Sequence, residues 1–361
     1  MKESHPSFAL ILPASFQKGK VAWRSPSNIA FIKYWGKYGV QYPKNASLSM
    51  SLSKSSTETS IEYSRAGAHA KRAFLFEGKA QEAFAQRIWK FIDSLSEIYP
   101  FLNQLNLSIS SRNSFPHSAG IASSASAMSA LALALVDMER KLFGRPASED
   151  DFYRKASHIA RLGSGSAARS VYGAYSIWGE NLVLQKDSSN DFALPLQEEV
   201  ADCFLDLHDS ILIIDQGQKE VSSSLGHSLM NGHPYAGDRL KQAEQHLKSL
   251  LSAMKAGDQD LFVKIVESEA LSLHALMMSS DPWFILMKAD TLQVLQKIKR
   301  YRESTGHFIC FTLDAGPNVH VLYGKQDKIA IEEFIDKDLK PYCYEGHIIF
   351  DHLGKGPQKI D

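Results

Sequence analysis

The segment SFPHSAGIASSASA, residues 114–127, gathers five serines and one glycine directly before the alanine-rich run MSALALALV. A strand, a loop of small residues and then a helix turn several backbone N–H groups and the positive end of the helix dipole toward one point, and such a place holds phosphate. Gly120 lets the backbone approach closely, and the hydroxyls of Ser118, Ser123 and Ser124 can donate to phosphate oxygens or, for one of them, ligate Mg²⁺. The same small residues also suit a tightly packed helix, so the loop alone leaves both readings open. It has no G-K-[ST] and is not a Walker loop. A second cluster, ARLGSGSAARS at 160–170, spaces Gly163, Gly165 and Ala168 like a dinucleotide fingerprint, but FYRKASHIARL before it has helical rather than strand periodicity. It is not G-x-S-x-G either. What remains is a turn with free amides and hydroxyls, beside an Arg169 whose guanidinium can fork onto an anion.

Two further stretches bring charge. SPSNIAFIKYWGKYG places Lys33 and Lys37 four residues apart with Tyr34 and Trp35 between them. Lys37 follows Gly36 and is expected in a turn, from which an ammonium reaches a phosphate. In FTLDAGPNVHVLY, Asp314 ends an apolar run and opens a Gly-Pro turn. Its ordinary role is to cap that turn. Facing a cleft with a lysine that favours its ionised form, it can instead accept a hydroxyl proton or stabilise positive charge.

The elements that must position these residues follow from pattern. Strands are expected over VAWRSPSNIAFIKYWG, over SLSMSLSKSSTETSIEYS, whose period of two suits a half-buried strand, and over RAFLFEGK and LNLSISSRN. Helical spacing covers about 82–98, 123–143 and 149–162, and YGAYSIWG returns to strand. After DSILIIDQG, apolar residues recur at helical spacing over 238–255, 259–272 and 282–304; FICFTL and VHVLYG then read as strands, 329–338 as a helix and HIIFD as a last strand. Strands and helices mixed without strict βαβ alternation give an α+β class, with a boundary near 190–205. The 361 residues suit two domains, and 44% hydrophobic with 22% charged residues excludes disordered and fibrous classes. Forty basic against forty acidic residues leave no net field for a polyanion, so no nucleic-acid partner is expected. Cys203, Cys310 and Cys343 form neither a disulfide framework nor a zinc motif, and no run suits a membrane span. FALILPA, after Glu3 and His5 and cut by Pro13, is expected to be a cytoplasmic N-terminal extension rather than a signal peptide.

The blocks SPSNIAFIKYWGKYG with NASLSMSLS, NSFPHSAGIASSASA, ARLGSGSAARSVYG and FTLDAGPNVHVLY, in this order between about residues 25 and 324, resemble the mevalonate diphosphate decarboxylases of the GHMP kinase superfamily. The resemblance implies a two-domain α+β GHMP kinase-like fold with the active site in the inter-domain cleft: an extension at 1–20, an ATP-binding domain at 21–200 and a second α+β domain at 201–361. It implies ATP-dependent decarboxylation of mevalonate 5-diphosphate to isopentenyl diphosphate, with Mg²⁺, in a homodimer. By family match ATP lies on Asn113, Ser118, Ala119, Gly120, Ser123 and Ser124, with Ser124 also near the metal and the transferred phosphate. Asn28, Tyr34, Lys37, Ser164, Gly165, Ser166 and Arg169 match positions holding the substrate's diphosphate and carboxylate, while Asp314 and Lys33 match the reacting pair, assisted by Arg169 and Ser124. Tyr38 and Gly39 depart from the family's basic and acidic residues after YWGK, Ser224 stands where some relatives have Arg, and His227 where Met is usual. These departures fall on the phosphate side of the substrate and keep two alternatives in view: a decarboxylase of the 5-monophosphate, and a kinase of the mevalonate 3-kinase type.

Overall fold

A computed structural model describes residues 11–115, 123–184, 188–217 and 223–360. In chain order the elements are β1 (Lys18–Ala30), β2 (Lys37–Tyr38), β3 (Tyr42–Pro43), β4 (Ser47–Arg65), β5 (Arg72–Phe76), α1 (Glu82–Ser94), β6 (Leu105–Asn113), α2 (Ser123–Phe143), α3 (Glu149–Gly163), β7 (Tyr175–Trp178) and β8 (Leu194–Pro195). The second half runs α4 (Asp202–Leu205), β9 (Leu207–Leu212), α5 (Ser223–Ser228), α6 (Ala236–Ala256), α7 (Gln259–Met278), α8 (Ala289–Thr305), β10 (Ile309–Thr312), β11 (Val319–Gly324), α9 (Lys328–Phe334), β12 (Ile348–His352) and β13 (Gln358–Lys359). A seven-stranded sheet has the order β13-β1-β4-β6-β5, with β7 on β4 and β8 on β7; β5 and β6 run parallel. A four-stranded antiparallel sheet has the order β10-β11-β9-β12. The C-terminal β13 thus returns to pair with β1 at the start of the chain.

One face of the large sheet is covered by α2 and α3, with Val21, Trp23, Ile61 and Ile109 packed on Leu131, Leu135, Phe152 and Ile159. Alanine and serine at nearly every other position let α2 bury most of its circumference, and the helix leaves its N-terminal serines at the end of the sheet. A register shift between Pro26 and Asn28 turns the second half of β1 toward another core. The backbone N–H groups of Ser53, Lys54 and Ser55, displaced there from the ladder, all donate to the buried carboxylate of Asp351 at 2.7–2.8 Å. Ile29, Phe31, Leu48, Met50 and Leu52 then pack with Leu247, Leu250, Phe262 and Val266 of α6 and α7. This core joins the two halves of the chain. Gly257, at φ +74°, ends α6, and the Asp258 side chain accepts from Leu261 N–H at 2.9 Å to start α7, so the two helices form an antiparallel hairpin.

Three expectations are corrected. β4 is buried on both faces over Ser47–Leu52 rather than half-buried, because helices cover one side and the serine side faces an arginine in the interior. The helix expected from residue 282 begins at Ala289, where Thr291 Oγ1 accepts from Lys288 N–H at 3.1 Å; residues 282–288 form a loop. Lys37 lies in β2 of a minimal two-strand ribbon, just after the turn that Gly36 makes at φ +93°. No helix among the described residues is long and apolar enough to cross a membrane, and all three cysteines are free.

Candidate active site

Beyond the end of β1 the chain carries Lys33 into the protein, where it is 2% exposed. Its backbone is gripped from three sides. Lys33 N–H donates to Glu269 Oε2 at 2.8 Å, and its carbonyl accepts from Asn45 Nδ2 at 2.9 Å and from Arg239 Nη2 at 3.2 Å. The side chain so directed ends with Nζ 3.2 Å from Asp314 Oδ1, in the turn after β10. The Asp314 side chain is 30% exposed, which gives the carboxylate a face toward solvent and a reactant. Burial pushes the Lys33 ammonium below the ordinary lysine range, and Asp314 opposes that shift. The pair is therefore a partly exposed carboxylate backed by a desolvated cation.

Arg169 approaches the same point from the 3-10 turn Gly165–Val171 that follows α3. It is 3% exposed, and its Nη1 donates to Ser47 Oγ at 2.5 Å and its Nε to Ser49 Oγ at 3.0 Å. Asn28 Oδ1 lies 3.4 Å from the same Nε, and its amide donates to Ser170 Oγ at 2.7 Å and to the Ser166 carbonyl at 3.2 Å. Among the described residues Arg169 Nη2 makes no hydrogen bond, so one arm of the fork is left for an anion. Burial lowers the Arg169 pKa to about 10, with Asp314 acting against it. The Arg169 charge in turn adds to the lowering of Lys33.

Tyr34 places its hydroxyl, buried and without a partner among the described residues, against Gly165. A Cβ at Gly165 would sit 2.9 Å from that hydroxyl oxygen and 2.8 Å from Trp178, so only glycine lets the turn approach here. Ser164 lies 3.5 Å, Oγ to Oγ, from Ser124 at the N-terminus of α2. The two serine clusters thus meet. On the far side of Ser124 an apolar pocket opens, lined by Phe74, Phe76, Phe84, Ile88 and Met128, with Asn113, Ser123 and Ser124 at its polar edge. Apolar walls with a few polar groups suit a small organic ligand.

The structure brings together Lys33, Asp314, Arg169 and Asn28, and links Ser124 to Ser164; Tyr34 and Gly165 touch. Ser166 contributes its carbonyl to Asn28. Lys37 is not in hydrogen-bond contact with these groups; its Nζ donates to Gln41 Oε1 at 3.2 Å. Ser118, Ala119 and Gly120 lie outside the described residues. Of the departures, Tyr38 stacks on Tyr42 at the surface, with ring centroids 5.4 Å apart, and Gly39 sits in the β2–β3 turn at φ +50°. His227 is sandwiched between Tyr34 and Trp35, at 4.3 and 4.7 Å, and its Nδ1 accepts from Gly36 N–H at 3.0 Å. Sequence reasoning missed Ser47, Ser49, Glu269, Arg239 and His274. The alternation SLSMSL was the available sign, since one of its faces had to be polar and interior.

Two buried imidazoles set an acid limit on the fold. Burial pushes His227 down to about 3 and His274 to about 4. The unfolded chain protonates each near pH ~6.5, whereas the folded chain resists until far lower. Their contribution is therefore intact above ~6.5 and is lost as pH falls toward 4. Thermal unfolding midpoints should decline over that window, and His227→Met should decline less steeply than the parent. Parallel curves for the two proteins would contradict this.

A two-domain α+β fold, with a serine-bearing helix N-terminus beside an apolar pocket and a buried lysine paired with a partly exposed aspartate, defines a GHMP kinase-like enzyme that uses ATP on a small anionic molecule. Residues 25–190 match the family model of the diphosphomevalonate decarboxylase-like N-terminal domain, and 210–358 that of the mevalonate 5-diphosphate decarboxylase C-terminal domain. The chain belongs to the diphosphomevalonate decarboxylase family. It is 29% identical over 338 residues to the diphosphomevalonate decarboxylase of Aspergillus fumigatus, covering 88% of this chain and 80% of that one. The mevalonate diphosphate decarboxylase structure from Staphylococcus aureus superposes with a TM-score of 0.81 at 28% identity, covering 95% and 98% of the two chains. A structure of MDDEF in complex with MVAPP, AMPPCP and magnesium gives 0.80 at 27% identity, covering 95% and 99%. Neither the 5-monophosphate decarboxylase nor the 3-kinase alternative is favoured by these likenesses.

Proposed function

We propose that Asp314, Lys33, Arg169 and Ser124 are the working groups of an ATP-dependent decarboxylation in which mevalonate 5-diphosphate and ATP give isopentenyl diphosphate, CO₂, ADP and phosphate. The observation that carries this reading is the half-open carboxylate of Asp314 held 3.2 Å from a buried ammonium. A tertiary hydroxyl is a poor leaving group. Transfer of the γ-phosphoryl to its oxygen forms a new P–O bond as the bond to ADP breaks, and the hydroxyl proton passes to Asp314 Oδ. The C–O bond then breaks with its electron pair leaving on phosphate; the C–C bond to the carboxylate supplies the electrons of the new alkene, and CO₂ departs. Positive charge develops at the tertiary carbon, where an anionic Asp314 lowers its energy. Positioning and charge neutralisation carry most of such a reaction.

Arg169 Nη2 and the Tyr34 hydroxyl are the donors left over for the substrate's anionic groups, and Ser164 and Ser166 border the same place. The Asn113, Ser123 and Ser124 edge receives the nucleotide. Mg²⁺ takes few protein oxygens and keeps waters and phosphates as ligands. That agrees with a site offering the Ser124 hydroxyl and, among the described residues, no cluster of three acidic, histidine or cysteine side chains; when bound, the ion neutralises phosphate charge. The domain limits 21–200 and 201–361, a cytoplasmic setting and a homodimer complete the proposal, supported by the free thiols and by family analogy. An assay offering mevalonate, its 5-phosphate and its 5-diphosphate should give the highest kcat/KM with the 5-diphosphate, by at least about tenfold, a choice supported by the likeness to the diphosphomevalonate decarboxylase family models. Higher efficiency on the 5-phosphate would overturn the choice of substrate.

A further inference from the structure

Lys33 and Asp314 are 281 positions apart in sequence, yet the 3.2 Å between them is the dimension on which the reaction depends. Both are tied by their main chains to one helix. Glu269 of α7 takes the Lys33 N–H through Oε2 at 2.8 Å, and His274, five residues further along α7, has Nε2 3.1 Å from the Asp314 carbonyl oxygen. A carbonyl only accepts, so Nε2 carries the proton and donates. His274 is 1% exposed, and burial keeps its ring neutral. Glu269 is 0% exposed and is itself clamped, by Arg239 of α6 at 2.5 and 2.7 Å and by His246 at 2.7 Å. Arg239 Nη2 also reaches the Lys33 carbonyl at 3.2 Å, closing a ring through α6, α7 and the Lys33 peptide.

We infer that α7 is the gauge of the active site, with His274 and Glu269 as positioning residues that set the separation of Lys33 from Asp314. The inference rests on the reading of that pair given above. A helix is a stiff spacer, about 7.5 Å long over five residues, and the hydrophobic side of α7 is locked against the second sheet and against β1 and β4 through Phe262 and Val266. Arg239, held to Glu269, fixes the Lys33 end, and His274 fixes the Asp314 end. Neither His274 nor Glu269 touches the reacting atoms in this arrangement; they act by keeping the carboxylate in register with the ammonium. A misplacement of about 1 Å in such a pair costs up to ~10²-fold in rate.

The test uses the full-length enzyme with ATP, Mg²⁺ and mevalonate 5-diphosphate. His274→Phe removes the donor and keeps a ring; His274→Gln restores an N–H donor. The phenylalanine variant should lose about 10- to 10²-fold in kcat with KM for both substrates within about twofold, and the glutamine variant should recover most of that loss. Equal damage in both, or a rise in KM at constant kcat, would overturn the inference in favour of plain packing. Arg239→Lys is a second arm should the phenylalanine variant not fold. It keeps the charge beside Glu269 but loses the fork that reaches the Lys33 carbonyl, so kcat should again fall at constant KM; an unchanged kcat contradicts the gauge. Asp314→Asn measured alongside separates the two levels. If it remains active, the catalytic reading itself fails; if it is dead while the His274 and Arg239 variants match the parent, only the gauge fails.

Discussion

Asp314→Asn should lower kcat on mevalonate 5-diphosphate by about 10³-fold while the dissociation constant for ATP stays within about threefold. The substitution preserves the shape of the side chain, so the turn after β10 and the His274 bond to the residue 314 carbonyl have no reason to change. What goes is the negative charge and, in the proposed mechanism, the base. The hydroxyl proton loses its acceptor during phosphoryl transfer, and the cationic centre formed as phosphate leaves loses the anion facing it. Lys33 is affected as well, because its ammonium is fully buried and its desolvation is opposed first by Asp314. Without that partner it is an uncompensated buried cation, so a modest fall in the unfolding midpoint accompanies the loss of activity. The pocket proposed for ATP is lined by Phe74, Phe76, Phe84, Ile88 and Met128, and Asp314 is not among its lining residues. Calorimetric titration of nucleotide and single-turnover kinetics read the two quantities separately. An asparagine variant keeping more than about a tenth of the parent kcat would remove Asp314 from the chemistry.

Arg169→Lys should cost about 10²-fold in kcat/KM although the charge is retained. The guanidinium spans three partners at once: Nη1 on Ser47, and Nε on Ser49 and near Asn28. An ammonium at the end of a flexible stem reaches one or two of these and leaves buried hydroxyls without a donor. Asn28 loses a neighbour too, and through its amide it bridges to Ser166 and Ser170, so the turn that follows α3 loosens. The loss should appear in both kcat and KM, since Arg169 is asked to bind an anionic group and to hold it against the Lys33–Asp314 pair. Steady-state kinetics within about threefold of the parent would contradict this placement.

Much of this arrangement is legible in the amino-acid sequence where local chemistry decides it. Helix α2 begins and ends where the serine cluster and the Gly-Arg-Pro turn place it, and α3 starts at Ser148, whose side chain accepts from Asp151 N–H at 3.0 Å. Asp314 and Lys33 stand out through the motifs FTLDAGPNVHVLY and SPSNIAFIKYWGKYG and their family resemblance, since a lone aspartate at a strand end ordinarily caps its own turn. Their being 3.2 Å apart does not, since that follows from packing β1 and β4 against α6 and α7 through residues far away in sequence. Ser47 and Ser49 look like the polar side of a half-buried strand until Arg169 is seen to occupy the interior beside them. Glu269 and His274 lie in a helical period that fits an ordinary amphipathic helix, and only tertiary structure distinguishes a buried glutamate that holds a backbone N–H from a solvated one. The start of α8 was misjudged because the apolar residues of PWFILM imitate helical spacing while forming a loop.

Phosphorylation that serves to expel a hydroxyl together with CO₂ is tested most directly by the simultaneous release of ADP and CO₂ from the full-length enzyme with ATP, Mg²⁺ and 1-¹⁴C-labelled mevalonate 5-diphosphate. The two products should appear in equal amounts from the first turnover onward, with an alkene diphosphate as the organic product. ADP accumulating without CO₂, beside a stable phosphorylated mevalonate, would show a kinase and contradict the mechanism built on Asp314.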